Sequence, residues 1–113
     1  MKAQLNDILE ALSESIAEHE AIANAAMNDL EQLNPSVGEY RRANYKFGAS
    51  VYVAAYLNSI KAEAEKQQDL KQLENRIRFH AHQQAVKSGS FHSTAGQAAL
   101  GAILNGFVQR FFA

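Results

Sequence analysis

Leu5, Leu9, Leu12, Ile16, His19, Ala23, Ala26, Leu30 and Leu33 recur along the first third of the chain in alternating steps of four and three. That period belongs to a helix packed lengthwise on other helices, because residues so spaced return to one stripe of its surface. The expected fold class is all-α, a compact bundle of about four helices with a long antiparallel hairpin and two shorter helices. With 113 residues, 47% of them hydrophobic, the chain suits a single helical-bundle domain over 1–113.

Capping chemistry sets the expected boundaries. Helix 1 should run from about residue 2 to 33 and stop at Asn34-Pro35, since proline cannot continue the hydrogen-bond ladder and restricts the residue before it. Ser36 and Glu39 have the spacing of a capping box, with Pro35 and Tyr40 as its staple, so a second helix starts near Val37. Unbroken to Lys87 that helix would span roughly 75 Å, against about 45 Å for helix 1, at ~1.5 Å per residue. A break is expected at Gln67-Gln68-Asp69, where Asp69 and Gln72 make a second box-like pair, giving pieces at 37–66 and 70–87. After Ser88-Gly89 a loop follows, and Thr94 with Gln97 opens a last helix to about Phe112.

Each helix has an apolar face to bury. Val51-Tyr52-Val53-Ala54-Ala55-Tyr56-Leu57 is apolar nearly all round and predicts contacts on several sides. Leu70, Leu73, Ile77 and Ala81 share one side of helix 3, opposite a stripe of Lys71, Asn75, Arg78 and His82. The last segment has a thin polar stripe, and Gly101 and Gly106 lower its helix propensity, so burial must stabilise it. It is either the centre of the chain's own core or, through Phe107, Phe111 and Phe112, a dock for a second subunit or partner. Its apolar stretch is shorter than the ~18 residues a membrane span needs, so no membrane association is expected. The absence of cysteine fits a reducing compartment, and no basic-then-apolar leader opens the chain, which points to the cytoplasm.

Charge is divided along the chain. Residues 1–40 carry one lysine against eight carboxylates, and residues 41–113 carry ten lysines and arginines against four. These halves can neutralise each other across a helix interface or present separate acidic and basic faces. Glu10, Glu14 and Glu18 stand four apart on one face of helix 1, a candidate protein interface. Such a stripe is ordinarily a solvated face, although carboxylates along a rod can also imitate a phosphate backbone in another protein's groove.

Catalytic chemistry finds little support. His19-Glu20 lacks the second histidine of a zinc-protease helix, Ala23 standing in its place, and a partly buried, hydrogen-bonded histidine is the plainer reading. His80 and His82 point to nearly opposite sides of a helix, so no metal site is expected from them. Ser90, His92, Ser93 and Thr94 read as loop and cap residues. The carboxylates of helix 1 lack the Glu-x-x-His pair of a bundle-type di-metal site, and no phosphate-cradling glycine loop is present. No cofactor and no enzymatic activity are therefore expected.

The remaining signal is Tyr40-Arg41-Arg42-Ala43-Asn44-Tyr45-Lys46-Phe47, where cations and aromatics interleave near a helix start. Arg41, Arg42, Tyr45 and Lys46 have the chemistry to grip phosphates and stack bases, with Lys71, Arg76, Arg78 and Lys87 as an extension. They could equally pair with the acidic face of helix 1. The expected function is thus a protein-binding module, an adaptor or inhibitor of a larger machine that self-associates, with a small nucleic-acid-binding subunit as the alternative.

Overall fold

The computed structural model describes residues 2–32, 37–87 and 94–112. Four α-helices follow one another there: α1 (Lys2–Gln32), α2 (Val37–Gln67), α3 (Leu70–Lys87) and α4 (Thr94–Phe107), the last continued by a π-helical turn over Val108–Phe112. The fold is all-α, as the periodicity implies. α1 and α2 have equal length, 31 residues each, and stop and restart on either side of Asn34-Pro35. Ser36 and the Tyr40 side chain lie outside the described residues, as do Leu33 of the seam and the Ser88–Ser93 segment with His92.

α2 and α3 are divided at the expected place by a two-residue joint. Gln68 takes a left-handed conformation, φ 53°, and its N–H returns to the Ala64 carbonyl at 2.9 Å to close α2. Asp69 then caps α3: its Oδ1 accepts from the N–H groups of Lys71 (3.0 Å) and Gln72 (3.1 Å). The chain thereby reverses in two residues, and α3 runs back along α2.

One core joins all four helices. Leu5, Ile8, Ala11, Leu12 and Ile16 of α1 meet Val53, Leu57, Ile60 and Ala64 of α2, Leu73, Ile77 and Ala81 of α3, and Leu100, Leu104 and Phe107 of α4. Ile8 and Ala11 widen the seam beyond its heptad positions and enter the shared core. The apolar run of α2 is less enclosed than its composition implies. Val53, Ala54 and Leu57 are buried, but Val51 is 44% exposed and Ala55 faces solvent.

The core stops at Ile16 on α1 and at Val53 on α2. Gln84, near the end of α3, and Gly96, near the start of α4, both meet Tyr52. The hairpin formed by residues 19–32 and 37–50 therefore extends past the described parts of α3 and α4, in a molecule 51 × 27 × 21 Å across. Among the described residues of this arm Ala23, Ala26 and Ser50 are the buried ones, a seam of small side chains.

The last segment departs from a plain α-helix to Phe112. Its final five residues wind as a π-helix, in which the Phe111 ring lies 6.2 Å from that of Phe107. Phe107 is 6% exposed, and Phe111 and Phe112 pack half-buried against the core. Two side chains hold the turn: Gln4 Nε2 donates to the Phe111 carbonyl (2.8 Å) and Arg78 Nη2 to that of Phe112 (3.0 Å).

The joint yields a test. A left-handed residue bearing a Cβ costs ~1–2 kcal/mol, which glycine escapes at an entropic cost of roughly 0.5–1. Gln68→Gly should raise the unfolding free energy by about 0.5–1 kcal/mol, and Gln68→Val should lower it, both read from urea denaturation midpoints.

Candidate functional site

The basic and aromatic side chains near the start of α2 are where the sequence places its candidate ligand-binding group. Arg41, Arg42, Tyr45 and Lys46 are all exposed, Tyr45 at 71%. They stand on the arm because α2 starts at Val37, well before the core begins at Val53. Of the two arrangements the divided charge allows, pairing with α1 or separate faces, the described residues show no ion pair to α1. Among the described residues the ion pairs are Lys61–Glu65, Lys71–Glu74, Arg76–Glu63 and Arg78–Glu74, and none involves α1. Glu20, Ala23 and Asn24 lie beside Phe47, Val51 and Ala54, a register that carries Arg41 and Arg42 away from the Glu10–Glu18 stripe to the level of Asp29 and Glu31, where no ion pair forms among the described residues.

Arg76 and Arg78 do not join that cluster. Arg76 pairs with Glu63 at 3.4 Å, and Arg78 is held by Glu74 (Nε to Oε2, 2.9 Å) and by the Phe112 carbonyl. They lie on α3 near the joint end of the bundle, and their guanidinium groups fasten the fold.

Glu10, Glu14 and Glu18 are exposed. Asp7, Glu10 and Glu14 border a concavity whose far wall is Arg110 and Phe111. Arg110 stays outside ion-pair distance of them and instead stacks over the Phe111 ring, 4.7 Å from its centroid. Phe107 has little surface left to offer a partner, whereas Phe111 and Phe112 retain some.

A shallow apolar groove crosses the other side of the hairpin. Phe47, Val51, Ala54 and Ala55 of α2 face Ala23 of α1, with Glu20, Asn24 and Asn58 at the rim. Val51 and Ala55 are uncovered there, so α2 has more apolar surface than this chain alone buries.

A polar node ties the three helices around Tyr52. Its hydroxyl donates to Gln84 Oε1 at 3.1 Å, and the Gln97 side chain hydrogen-bonds the same hydroxyl. Gln84 and Gln97 are 1% and 8% exposed, and Gln84 Nε2 is buried with no hydrogen-bond partner. Gly96 permits the close contact, since a Cβ there would stand 3.0 Å from the Tyr52 ring. Sequence reasoning missed this node, although Gln84 lies one heptad after the buried Ile77 and its stripe position could have revealed it.

The histidines have structural surroundings. His19 is half-buried, its Nδ1 2.8 Å from the Ser15 carbonyl, which places the proton on Nδ1. The His80 ring packs edge-on against Tyr56 (5.1 Å) and Phe79 (5.5 Å), and His82 is exposed. Among the described residues no three histidine, aspartate or glutamate side chains are grouped to hold a metal ion, and no helix is long and apolar enough to cross a membrane.

No family model, curated protein or solved structure matches this chain.

Burial, followed by the Tyr56 hydroxyl, raises the Tyr52 pKa above its ordinary 10.0, and the hydrogen bonds to Gln84 and Gln97 only partly offset this. The folded state therefore favours the neutral phenol. Its contribution to stability is complete below the unfolded pKa and lost as pH rises through the higher folded value. Tyr52→Phe should cost about 1–3 kcal/mol near neutrality by leaving both amides short of a partner, and should flatten the alkaline decline. Urea titrations at a series of pH values through 10 and above test both effects.

Proposed function

We propose that this chain is a non-enzymatic, self-associating helical module that binds protein, acting as an adaptor on, or inhibitor of, a larger assembly. The observation that carries the reading is the uncovered apolar surface of the hairpin. Val51, Met27 and Tyr45 are 44%, 43% and 71% exposed, and Val51 lies in a groove lined by Phe47, Ala54 and Ala55. That groove, apolar within and rimmed by Glu20, Asn24 and Asn58, has the make-up of a protein contact. The lack of cysteine supports a reducing, cytoplasmic setting.

A second reading has its own observation. Arg41, Arg42 and Lys46 are exposed beside an exposed Tyr45, and among the described residues no carboxylate pairs with the three cations. Cations flanking an uncovered aromatic ring suit a single-stranded nucleic acid.

Light scattering after size exclusion, with and without a short mixed-sequence oligonucleotide, separates the readings. Self-association that ignores the oligonucleotide is expected, and Val51→Asp with Ala55→Asp should weaken it at least tenfold while helicity by circular dichroism is kept. A monomer at all concentrations refutes self-association. An oligonucleotide-dependent shift that falls steeply with salt and vanishes in Arg41→Glu/Arg42→Glu moves the second reading to first place.

A further inference from the structure

The hydrogen bonds around Tyr52 have a direction. A phenol carries a single proton, and that proton goes to Gln84 Oε1 at 3.1 Å, so the Gln97 amide, which bonds the same hydroxyl, is its donor. The sequence of bonds therefore runs from Gln97 through Tyr52 to Gln84. It ends on Gln84 Nε2, a donor with no hydrogen-bond partner among the described residues, on a side chain 1% exposed. A buried N–H in this state costs free energy that an acceptor would recover.

The two ends of a planar amide diverge, and with Oε1 committed to Tyr52 of α2 the Nε2 end is left for what lies on the other side. Gln84 there lines a concavity of about 190 Å³ between α3 and α4, walled by Ala81, Ala98, Gly101 and Ala102. Gly101 makes the room. A Cβ built on it would stand 3.5 Å from Gln84 Cβ, an ordinary van der Waals distance, so the space of a methyl group lies open over Gln84.

Size and charge narrow the occupant. At ~30 Å³ per water the concavity holds the volume of about six waters, below the ~300 Å³ at which drug-sized pockets begin, so the ligand is compact. No residue lining it is charged, and an ion placed there would lose hydration without gaining a countercharge. The ligand is therefore neutral. Asn105, exposed at the rim, adds a side-chain carbonyl to the free N–H of Gln84. The neutral group that presents an acceptor to one and a donor to the other is a carboxamide.

We infer that this concavity is a binding site for a compact molecule bearing a carboxamide, whose carbonyl oxygen accepts from Gln84 Nε2 and whose N–H faces Asn105. The site is separate from the hairpin groove and does not depend on self-association. Occupation extends the Gln97–Tyr52–Gln84 sequence by one bond, so the ligand binds the folded chain alone and raises its melting temperature.

Isobutyramide is the probe, with isobutyrate and protonated isobutylamine as charged compounds of similar size and shape. Each is titrated into the isotope-labelled chain while the Gln84 side-chain NH2 resonances, identified by their loss in Gln84→Met, are followed by NMR. Isobutyramide should move them downfield along a saturable curve and raise the melting temperature, and both ions should bind at least tenfold more weakly. Gly101→Ala puts a methyl group into the open space without a clash, so it should stay folded and weaken binding at least tenfold. Gly106→Ala makes the same change on α4 where an added Cβ meets nothing within 4 Å, and should bind as the wild type does. No saturable shift up to the solubility of the probe, equal binding of either ion, or undiminished binding by Gly101→Ala overturns the assignment. So does a Gln84 NH2 group that already shows the shift and slow exchange of a hydrogen-bonded amide in the free chain, because a held water then fills the ligand's place.

Discussion

The two-residue joint at Gln68 and Asp69 is the constraint on which the rest of the structure depends. Without it α2 and α3 would form a rod of roughly 75 Å at ~1.5 Å per residue, and Leu73, Ile77 and Ala81 would have no core to enter. The left-handed Gln68 closes one helix by its N–H to Ala64, and the Asp69 carboxylate opens the next on the N–H groups of Lys71 and Gln72. Reversal in so few residues forces α3 to lie directly along α2. Tyr52 then meets Gln84 and Tyr56 meets His80, and the position where α3 runs out follows from its length.

Local chemistry made the helix boundaries legible. Such signals in the sequence are local, as the Asp69 cap shows, and α1, α2 and α3 end or begin within a residue of the expected positions. The seam was legible for the same reason, since Leu5, Leu12, Ile16, Ala23 and Ala26 are buried. The π turn was not, because its cause is tertiary: Gln4 and Arg78, from two other helices, hold its carbonyls. Gln84 was overlooked because polarity outweighed position.

The exposed group at Arg41, Arg42, Tyr45 and Lys46 could be read from composition, but which carboxylates come level with it could not. Net charges of opposite sign in the two halves suggest mutual neutralisation. Which carboxylates come level with which cations is a matter of hairpin register, and the register sets the Glu10–Glu18 stripe beside the later turns of α2. Arg76 and Arg78 show the converse: both found partners because the joint brings the start of α3 beside the end of α2 and the chain end against α3.

The uneven seam of the hairpin gives the molecule two stabilities. Ile8, Leu12, Leu57 and Ile60 each contribute roughly 1.5–3 kcal/mol by burial, whereas an alanine such as Ala23 or Ala26 offers little more than one methyl group, about 0.8 kcal/mol. The arm can therefore open while the bundle below stays folded, and its backbone amides should exchange with solvent through that smaller event. Anything that rests on the arm would close this opening and feel its cost, so binding there is coupled to local order even though both helices already exist in the free chain.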